Sequence, residues 1–323
     1  MGQHQICIRF VGVQMIIKNE CTEQQPEWLS IFNSRRFFDM HCSGRKAFYL
    51  AMQDETNSTL QAVVHLTESS EGDFRSPFRG TYGGFEFSRN DIGFIERAVH
   101  EAEKTALEHG ARKLTFTQSP SAHSPDLAAC CFNVFHRSGY CISGQELNHS
   151  ISVTNEPMMD RINRANQKRW RKCEREGFVF AEESDTEGFQ RVYDTISRNR
   201  ASKGYKVSMS LEALIEMREN FPGKIHFFSC THQDNVAAAA VCMAIRSDIF
   251  YVFYWGDEPG YEQFSPVAYL AERIYSYAMK NGFKILDVGT STLQGIPNYG
   301  LINFKEALGF QPSLKLTFSK ELT

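Results

Sequence analysis

Two α/β (α+β) domains in tandem, each a mixed, mostly antiparallel twisted sheet flanked by helices, are the architecture this sequence predicts. Three observations carry the expectation. The chain has 323 residues, 42% of them hydrophobic, which is too long for one ordinary core and comfortable for two of about 150 residues. It repeats itself. And each copy sets short strand-patterned runs ahead of a long helix whose apolar stripe is stopped by glycine.

The repeat is read directly. "YGGFEFSRNDIGFIERAVHEAEKTALEHGARKLTF", from Tyr82, aligns without a gap on "YWGDEPGYEQFSPVAYLAERIYSYAMKNGFKILDV", from Tyr254. Tyr82 falls on Tyr254, Gly84 on Gly256, Gly110 on Gly282 and Leu114 on Leu286. Further on, "FNVFHRSGY" matches "LINFKEALGF", with Gly139 on Gly309 and Phe135 on Lys305. Each copy therefore reads strand, loop, long helix, Gly, strand, loop, short helix, Gly-aromatic, strand.

Taken in order, residues 1–14 form a dispensable extension if Met15 is an alternative start. "AFYLAM" and "QAVVHL" read as strands. Phe94, Ile95, Ala98, Ala102 and Ala106 make the stripe of the first long helix, and Gly110 ends it. The turn-rich "SVTNEP" places the boundary between domains 1–150 and 151–323. A basic helix over 160–176 opens the second domain. "IHFFSC", "AAAAVCMAI" and "IFYVFYWG" are its strands. Ser265 is the expected N-cap of the next helix, with Pro266 in the first turn. Val267, Leu270, Ala271, Ile274 and Ala278 share one face, Asn281-Gly282 stops the helix, and "FKILDVG" returns as a buried strand.

Bulk properties exclude several classes. No run approaches the roughly 20 apolar residues of a membrane helix, and the N-terminus, with Arg9 inside its short apolar run, does not read as a signal peptide. Nine irregularly spaced cysteines without a CxxC, and ten histidines in no ligand pattern with them, predict reduced thiols, a cytoplasmic location and no metal site. The net charge of −3 leaves no whole-protein nucleic-acid footprint, so any anion site is local.

One local site stands out. "RINRANQKRWRKCERE", residues 161–176, holds seven Lys or Arg and two Glu. At about 100° per residue, Arg161, Arg164, Lys168, Arg171, Lys172 and Arg175 share a face, while Ile162, Trp170 and Cys173 fall largely opposite. A stripe of nearly one sign can hold phosphates of a tRNA acceptor stem, a nucleotide-sugar pyrophosphate or anionic lipid headgroups, where an ordinary solvated face mixes signs.

The layout resembles the GNAT acyltransferase fold, and the tandem arrangement resembles the Fem family of peptidoglycan-bridge aminoacyltransferases. The residues carrying the resemblance are "SPFRGTYGGF" at 76–85, "NRANQKRWRKCEREGFVF" at 163–180, "NRASKGY" at 199–205, "LDVGTS" at 286–291 and "NFKEALGF" at 303–310. The last GNAT helix begins with Asn, matched by Asn298, and carries a Tyr four residues before Gly-Phe. Here that position is Lys305, as in the F-K-x-x-x-G-F setting of Fem proteins. The coenzyme-loop pattern of GNAT enzymes is missing from both matching loops, "GFEFSRND" and "DEPGYEQFS".

The resemblance implies an acyltransferase whose second half carries the reaction and whose first half shapes the substrate cleft. Its central strands splay, and the backbone near Trp255 and Gly256 supplies oxyanion donors. Lys305 supplies charge on the leaving-group side, and Asp287 orients or deprotonates the amine. Arg36 (or its neighbour Arg35), Arg200 and Lys203 are candidate phosphate contacts, with Tyr254 and Asn298 as further substrate contacts. Arg164, Lys168, Arg171, Lys172 and Arg175 are the anion-binding set. No tightly bound cofactor is expected, and the acyl donor is aminoacyl-tRNA or acetyl-CoA. The acceptor is an amine on a small-molecule or lipid-linked precursor of cell wall or polysaccharide. The partners left open are tRNA and a peripheral contact with the inner membrane face. An acetyl-CoA-dependent N-acetyltransferase acting on an amino sugar or small amine, and a non-catalytic binding protein of the same fold, are the alternatives.

Overall fold

The computed structural model describes residues 7–8, 15–18, 26–42, 44–54 and 59–322. The 1–14 extension therefore lies largely outside the described residues, as do Cys21 and the Cys7 side chain. In chain order the elements are β1 (Cys7–Ile8), β2 (Met15–Lys18), α1 (Arg35–Cys42), β3 (Ala47–Asp54), β4 (Leu60–Ser70), β5 (Asp73–Ser76), β6 (Glu86–Phe87), α2 (Ile92–Glu108), β7 (Lys113–Thr117), α3 (Pro125–Arg137) and β8 (Cys141–Ser152). There follow α4 (Arg164–Arg175), β9 (Val179–Glu183), α5 (Thr186–Ser202), α6 (Leu211–Asn220), β10 (Ile225–His232), β11 (Asn235–Arg246), β12 (Ile249–Asp257), α7 (Pro266–Lys280), β13 (Ile285–Thr290), β14 (Thr292–Leu293), β15 (Ile296–Pro297), α8 (Tyr299–Ala307) and β16 (Gln311–Glu321).

The chain divides into unit 1, Met1–Glu146 with Ser313–Thr323, and unit 2, Leu147–Pro312. The sequence boundary near 150 does not anticipate that the last eleven residues join unit 1. The reason is strand pairing. β16 runs antiparallel to β7, from Thr317↔Thr117 to Glu321↔Lys113, and places Leu316 and Phe318 in the unit 1 core. In unit 2, residues 147–152 of β8 pair antiparallel with β13. Each unit thus completes its sheet with a strand that follows the other sequence repeat.

In unit 1 the order is β1-β2-β3-β4-β5-β7-β16, antiparallel except for the parallel β5–β7 pair. The stripe of α2 is buried as its spacing demands. The Phe116 ring is the hub of the core, with centroids of Phe135 at 4.9 Å, Tyr140 at 5.0 Å, Phe85 at 5.3 Å and Phe318 at 5.8 Å.

In unit 2 the order is β8-β13-β12-β11-β10-β9, with β12–β13 the parallel pair. β11 is the middle strand, and Ala237–Ala240 are fully buried. α5 and α7 both pack on β11 and β12, and methyl-sized side chains let them approach closely. Tighter still is Gly256, where an added Cβ would stand 2.7 Å from the Asn199 side chain of α5. α7 buries the predicted stripe, and Asn281 caps its C-terminus. Ser265 takes the N-cap position but makes no side-chain capping bond. Its backbone is left-handed, at φ 50°, and its hydroxyl turns back to the Glu262 carbonyl.

Phe318→Ala should lower the stability of unit 1 by about 3–5 kcal/mol, since it empties a ring site that a loop-tethered strand cannot collapse to fill. Urea unfolding followed by hydrogen exchange in β7 and α3 checks this, with α7 of unit 2 as the internal reference.

Candidate functional site

The site begins where two strands part. β12 and β13 pair over only three rungs, Ile249↔Ile285, Phe250↔Leu286 and Tyr251↔Asp287. β12 then continues to Asp257, paired through Ala238–Val241 with β11 alone. Backbone groups over residues 252–257 that face away from β11 have thus left the β13 ladder, which is the arrangement that can present donors to an oxyanion. In unit 1 the corresponding parallel pair runs for four rungs before its strand is interrupted at Ser76, and β6 beyond it pairs with β4. Four of the five residues of β7 are matched by β5, and the stretch aligned with the end of β12 is largely loop rather than one long strand.

β13 departs because it is bent at Gly289, whose φ is +73°, a conformation that costs an L-residue roughly 1–2 kcal/mol. Three bonds hold the bend. Asp287 Oδ1 accepts from the Gly289 N–H at 2.7 Å. Lys305 Nζ donates to the carbonyls of Gly289 and Thr290, each at 2.9 Å. The pairing of β13 with β8 skips register at the same place, between Asp287 and Thr290.

Lys305 is therefore no surface lysine. It is 1% exposed, on the inward face of α8, and its charge is met by the carbonyls of the bend. A buried ammonium without such acceptors would be prohibitive. Asp287, expected to close its strand, instead sits within it at 1% exposure. Its Oδ2 accepts from Asn148 Nδ2 at 3.0 Å.

His149 of β8 completes the group and was not foreseen from the sequence. Its Nδ1 shares a 3.0 Å hydrogen bond with the Ser291 hydroxyl. Its Nε2 is buried and makes no hydrogen bond among the described residues. The imidazole is pushed down to about 4, chiefly by burial and further by the Lys305 ammonium, with Asp287 opposing. It is neutral near pH 7. Only the Leu-Asn-His-Ser-Ile alternation of β8 marks it in the sequence, and that pattern says strand rather than site.

A second set of foreseen residues gathers at the far end of β12. Asn199 Nδ2 donates to the Asp257 carbonyl at 2.8 Å and to its carboxylate at 2.6 Å. Lys203 donates to Asn199 Oδ1 at 3.0 Å and lies 4.0 Å from Asp257. Arg200 lies over the Tyr254 ring, 5.6 Å from its centroid. The Tyr254 hydroxyl accepts from the Met209 N–H at 3.2 Å and bonds Ser208. Trp255 packs against Phe304 of α8, at 5.9 Å, and Phe310, at 6.3 Å, and so seats α8 on β12.

The loop from β12 to α7 carries its own anion. The Gly260 N–H donates to both Glu262 carboxylate oxygens, at 3.0 and 3.1 Å, and these backbone bonds hold the Glu262 carboxyl below its ordinary range. Glu258 accepts from Arg198. In unit 1 the acid before α2 instead caps the helix, with Asp91 accepting from the Phe94 N–H at 2.8 Å.

The basic helix starts later than its charge pattern suggests. α4 is capped by Asn163, so Arg161 stands outside it and donates instead to the Ser152 carbonyl and Thr154 hydroxyl. Lys172 also leaves the stripe, reaching the Gln263 carbonyl at 3.3 Å and lying over the Phe264 ring. Arg164, Lys168, Arg171 and Arg175 remain, all exposed, one turn apart, and no acid pairs with them among the described residues. Trp170 docks the opposite face on α7, its Nε1 donating to Glu272 at 3.1 Å. Asn298 is an exposed N-cap of α8, accepting from the Leu301 N–H. Arg36 is exposed on α1 of unit 1, and its neighbour Arg35 is paired with Asp39 at 2.9 Å.

A family model described as an acetyltransferase (GNAT) domain matches residues 162–301, a span that contains the β12–β13 parting. No curated protein matches the sequence. FemX is similar in structure, with a TM-score of 0.70 and 13% identity over 90% of this chain and 92% of that one. L-PGS from Bacillus licheniformis follows at 0.57 and 10%, over 91% and 93%. The C-terminal DUF2156 domain of an Agrobacterium fabrum protein gives 0.55 and 11%, over 88% and 90%. The fold is the Fem-type tandem GNAT fold, a GNAT acyltransferase architecture. Among the described residues no helix is long and apolar enough to cross a membrane.

Two outcomes follow from this geometry. Lys305→Ala should destabilise unit 2 by about 3–5 kcal/mol, because it leaves buried carbonyls unpaired and a cavity beside them, as read by urea unfolding. The imidazole of His149 ionises at about 6.5 in the unfolded chain and about 4 in the folded one. The unfolded state thus binds the extra proton, and stability is full above pH 6.5 and falls as pH drops toward 4, by up to about 3 kcal/mol. His65 of unit 1, also pushed to about 4 by burial, titrates in the same window. The difference in the pH slope of unfolding between the natural chain and His149→Asn isolates the unit 2 share.

Proposed function

We propose that the chain is a Fem-type acyltransferase, moving an aminoacyl group from its tRNA ester onto an amine of a cell-wall or polysaccharide precursor. The observation that carries this reading is the parting of β12 from β13 in unit 2. An acyl carbonyl placed against residues 252–257, near Trp255 and Gly256, would have its developing oxyanion met by fixed backbone dipoles. The neutral amine attacks the carbonyl to form the C–N bond, the tetrahedral intermediate breaks the C–O bond of the ester, and the proton lost from the nitrogen ends on the ribose oxygen, leaving an amide and a free ribose hydroxyl. Lys305 and Asp287 act here as positioning residues, because their polar atoms are engaged at the bend that keeps the two strands apart. Arg200, on the last turn of α5, and Lys203, its C-cap, lie beside the end of β12 and are the cations offered to a precursor phosphate.

The loop before α7 supports an ester donor over a coenzyme. In GNAT enzymes this loop cradles the coenzyme A pyrophosphate, and here Glu262 supplies an internal carboxylate to its Gly260 N–H. A pyrophosphate entering that position would meet like charge. The second reading, an acetyl-CoA-dependent N-acetyltransferase, draws on the acetyltransferase description of the matching family model and on Asn298 at the start of α8.

A thermal-shift panel of acetyl-CoA, aminoacyl-tRNA and nucleotide-sugar precursors, followed by transfer assays with a labelled acyl group, separates the two. Aminoacyl-tRNA and a nucleotide-linked precursor are expected to raise the melting temperature by several degrees near saturation and to support transfer. Acetyl-CoA is expected to do neither, and turnover of acetyl-CoA would favour the second reading. Lys305→Met, which keeps most of the volume, should lower transfer about 100-fold by letting β13 relax toward β12.

A further inference from the structure

Two surface features of unit 2 take no part in the chemistry above. The first is the β14–β15 hairpin. It turns through Gln294 and Gly295, both with positive φ, the two-residue turn that hairpin twist favours. Leu293 and Ile296 are directly opposed across it, so their side chains share one face. Each is 71% exposed, and Tyr299, which opens α8, is 72% exposed. Among the described residues these are the three most exposed of the large hydrophobic side chains, and they fall within seven residues of one another. The second feature is the stripe of Arg164, Lys168, Arg171 and Arg175.

One short helix joins them. α8 starts at Tyr299, and the carbonyl of Ala307 at its other end accepts from the Asn163 N–H and Asn166 Nδ2 of α4. The apolar tip and the start of the cationic stripe are therefore separated by the nine residues of α8, roughly 13 Å at 1.5 Å per residue.

We propose that this face of unit 2 docks on an anionic lipid bilayer, with Leu293, Ile296 and Tyr299 entering the headgroup boundary and the α4 stripe meeting lipid phosphates. Charge and area together choose the occupant. Three side chains fall well short of the roughly 800 Å² per partner that a stable protein interface buries, yet they suit shallow insertion beside cations. RNA would satisfy the stripe but offers nothing to two aliphatic side chains on a projecting turn. The proposal stands apart from the acyl-transfer reading, since docking needs no turnover.

Flotation of the full chain with phosphatidylcholine vesicles, with and without phosphatidylglycerol, tests it. Binding is expected only with phosphatidylglycerol and should weaken as salt rises. Leu293→Ser with Ile296→Ser should cut partitioning about tenfold or more, and Lys168→Glu with Arg171→Glu should do likewise. All four positions are exposed, and an unchanged melting temperature confirms that the variants fold. Equal binding to neutral vesicles, no binding at all, or full binding by the hairpin variant overturns the proposal. So does a stripe variant that loses retention on polyuridylate while still floating with vesicles.

Discussion

A buried ammonium must find acceptors, and in unit 2 the acceptors of Lys305 are the two carbonyls at the bend of β13. That requirement ties a helix to a strand at one point, just beyond the last rung that β13 shares with β12. The first repeat supplies the contrast. At the matching position of α3 stands Phe135, fully buried in an aromatic cluster, and the strand paired in parallel with β7 ends at Ser76 instead of running on as β12 does. A phenyl ring asks only for apolar neighbours. A lysine in the same slot asks for backbone oxygens, and the bend of β13 at Gly289 supplies them.

Around that point the unit is built from small residues. The alanine run of β11 and the glycine of β12 bring α5 close enough for Asn199 to bond the end of β12, while Trp255 seats α8 from the other direction. With both elements seated, the gap is held open by packing rather than by a loose loop, and its edges are rigid strands. Donors fixed in this way need no reorganisation as charge develops.

Much of this was legible in the residues. The repeat, the helix stripes and the glycine stops follow from periodicity and backbone freedom, and they mark α2, α7, β7 and β13 closely. The final strand was not placed by them, because a run such as Gln311–Glu321 carries no sign of which sheet it completes, and only pairing with β7 decides it. Lys305, Asp287 and Trp255 could be picked out through the resemblance to the GNAT and Fem folds, but their partners could not. The bonds of Lys305 go to backbone carbonyls, which every residue has, and so leave no sequence signature. His149 was missed for the opposite reason: its polar neighbours are a serine from 142 residues further along and a lysine from another helix, joined only by the fold. Arg161 and Lys172 show the limit of a helical wheel, which assigns a face without knowing where the N-cap falls or which loop lies within reach.

The distribution of charge follows one logic across these parts. Where the GNAT plan would bind a phosphate, at the loop before α7, the chain supplies a carboxylate of its own, and before α2 it places Asp91. Asp91 thereby satisfies a donor and the dipole at the entrance of α2, while Glu262 satisfies a donor within the loop itself. The cations stand elsewhere, one group at the end of α5 and another along the outside of α4. A protein of net charge −3 that keeps four basic side chains in a row with no acid paired to them among the described residues accepts their mutual repulsion in the free state. That repulsion is relieved when a dense array of negative charge approaches, and the exposed aliphatic tip beside the stripe favours an array with a hydrocarbon layer beneath it.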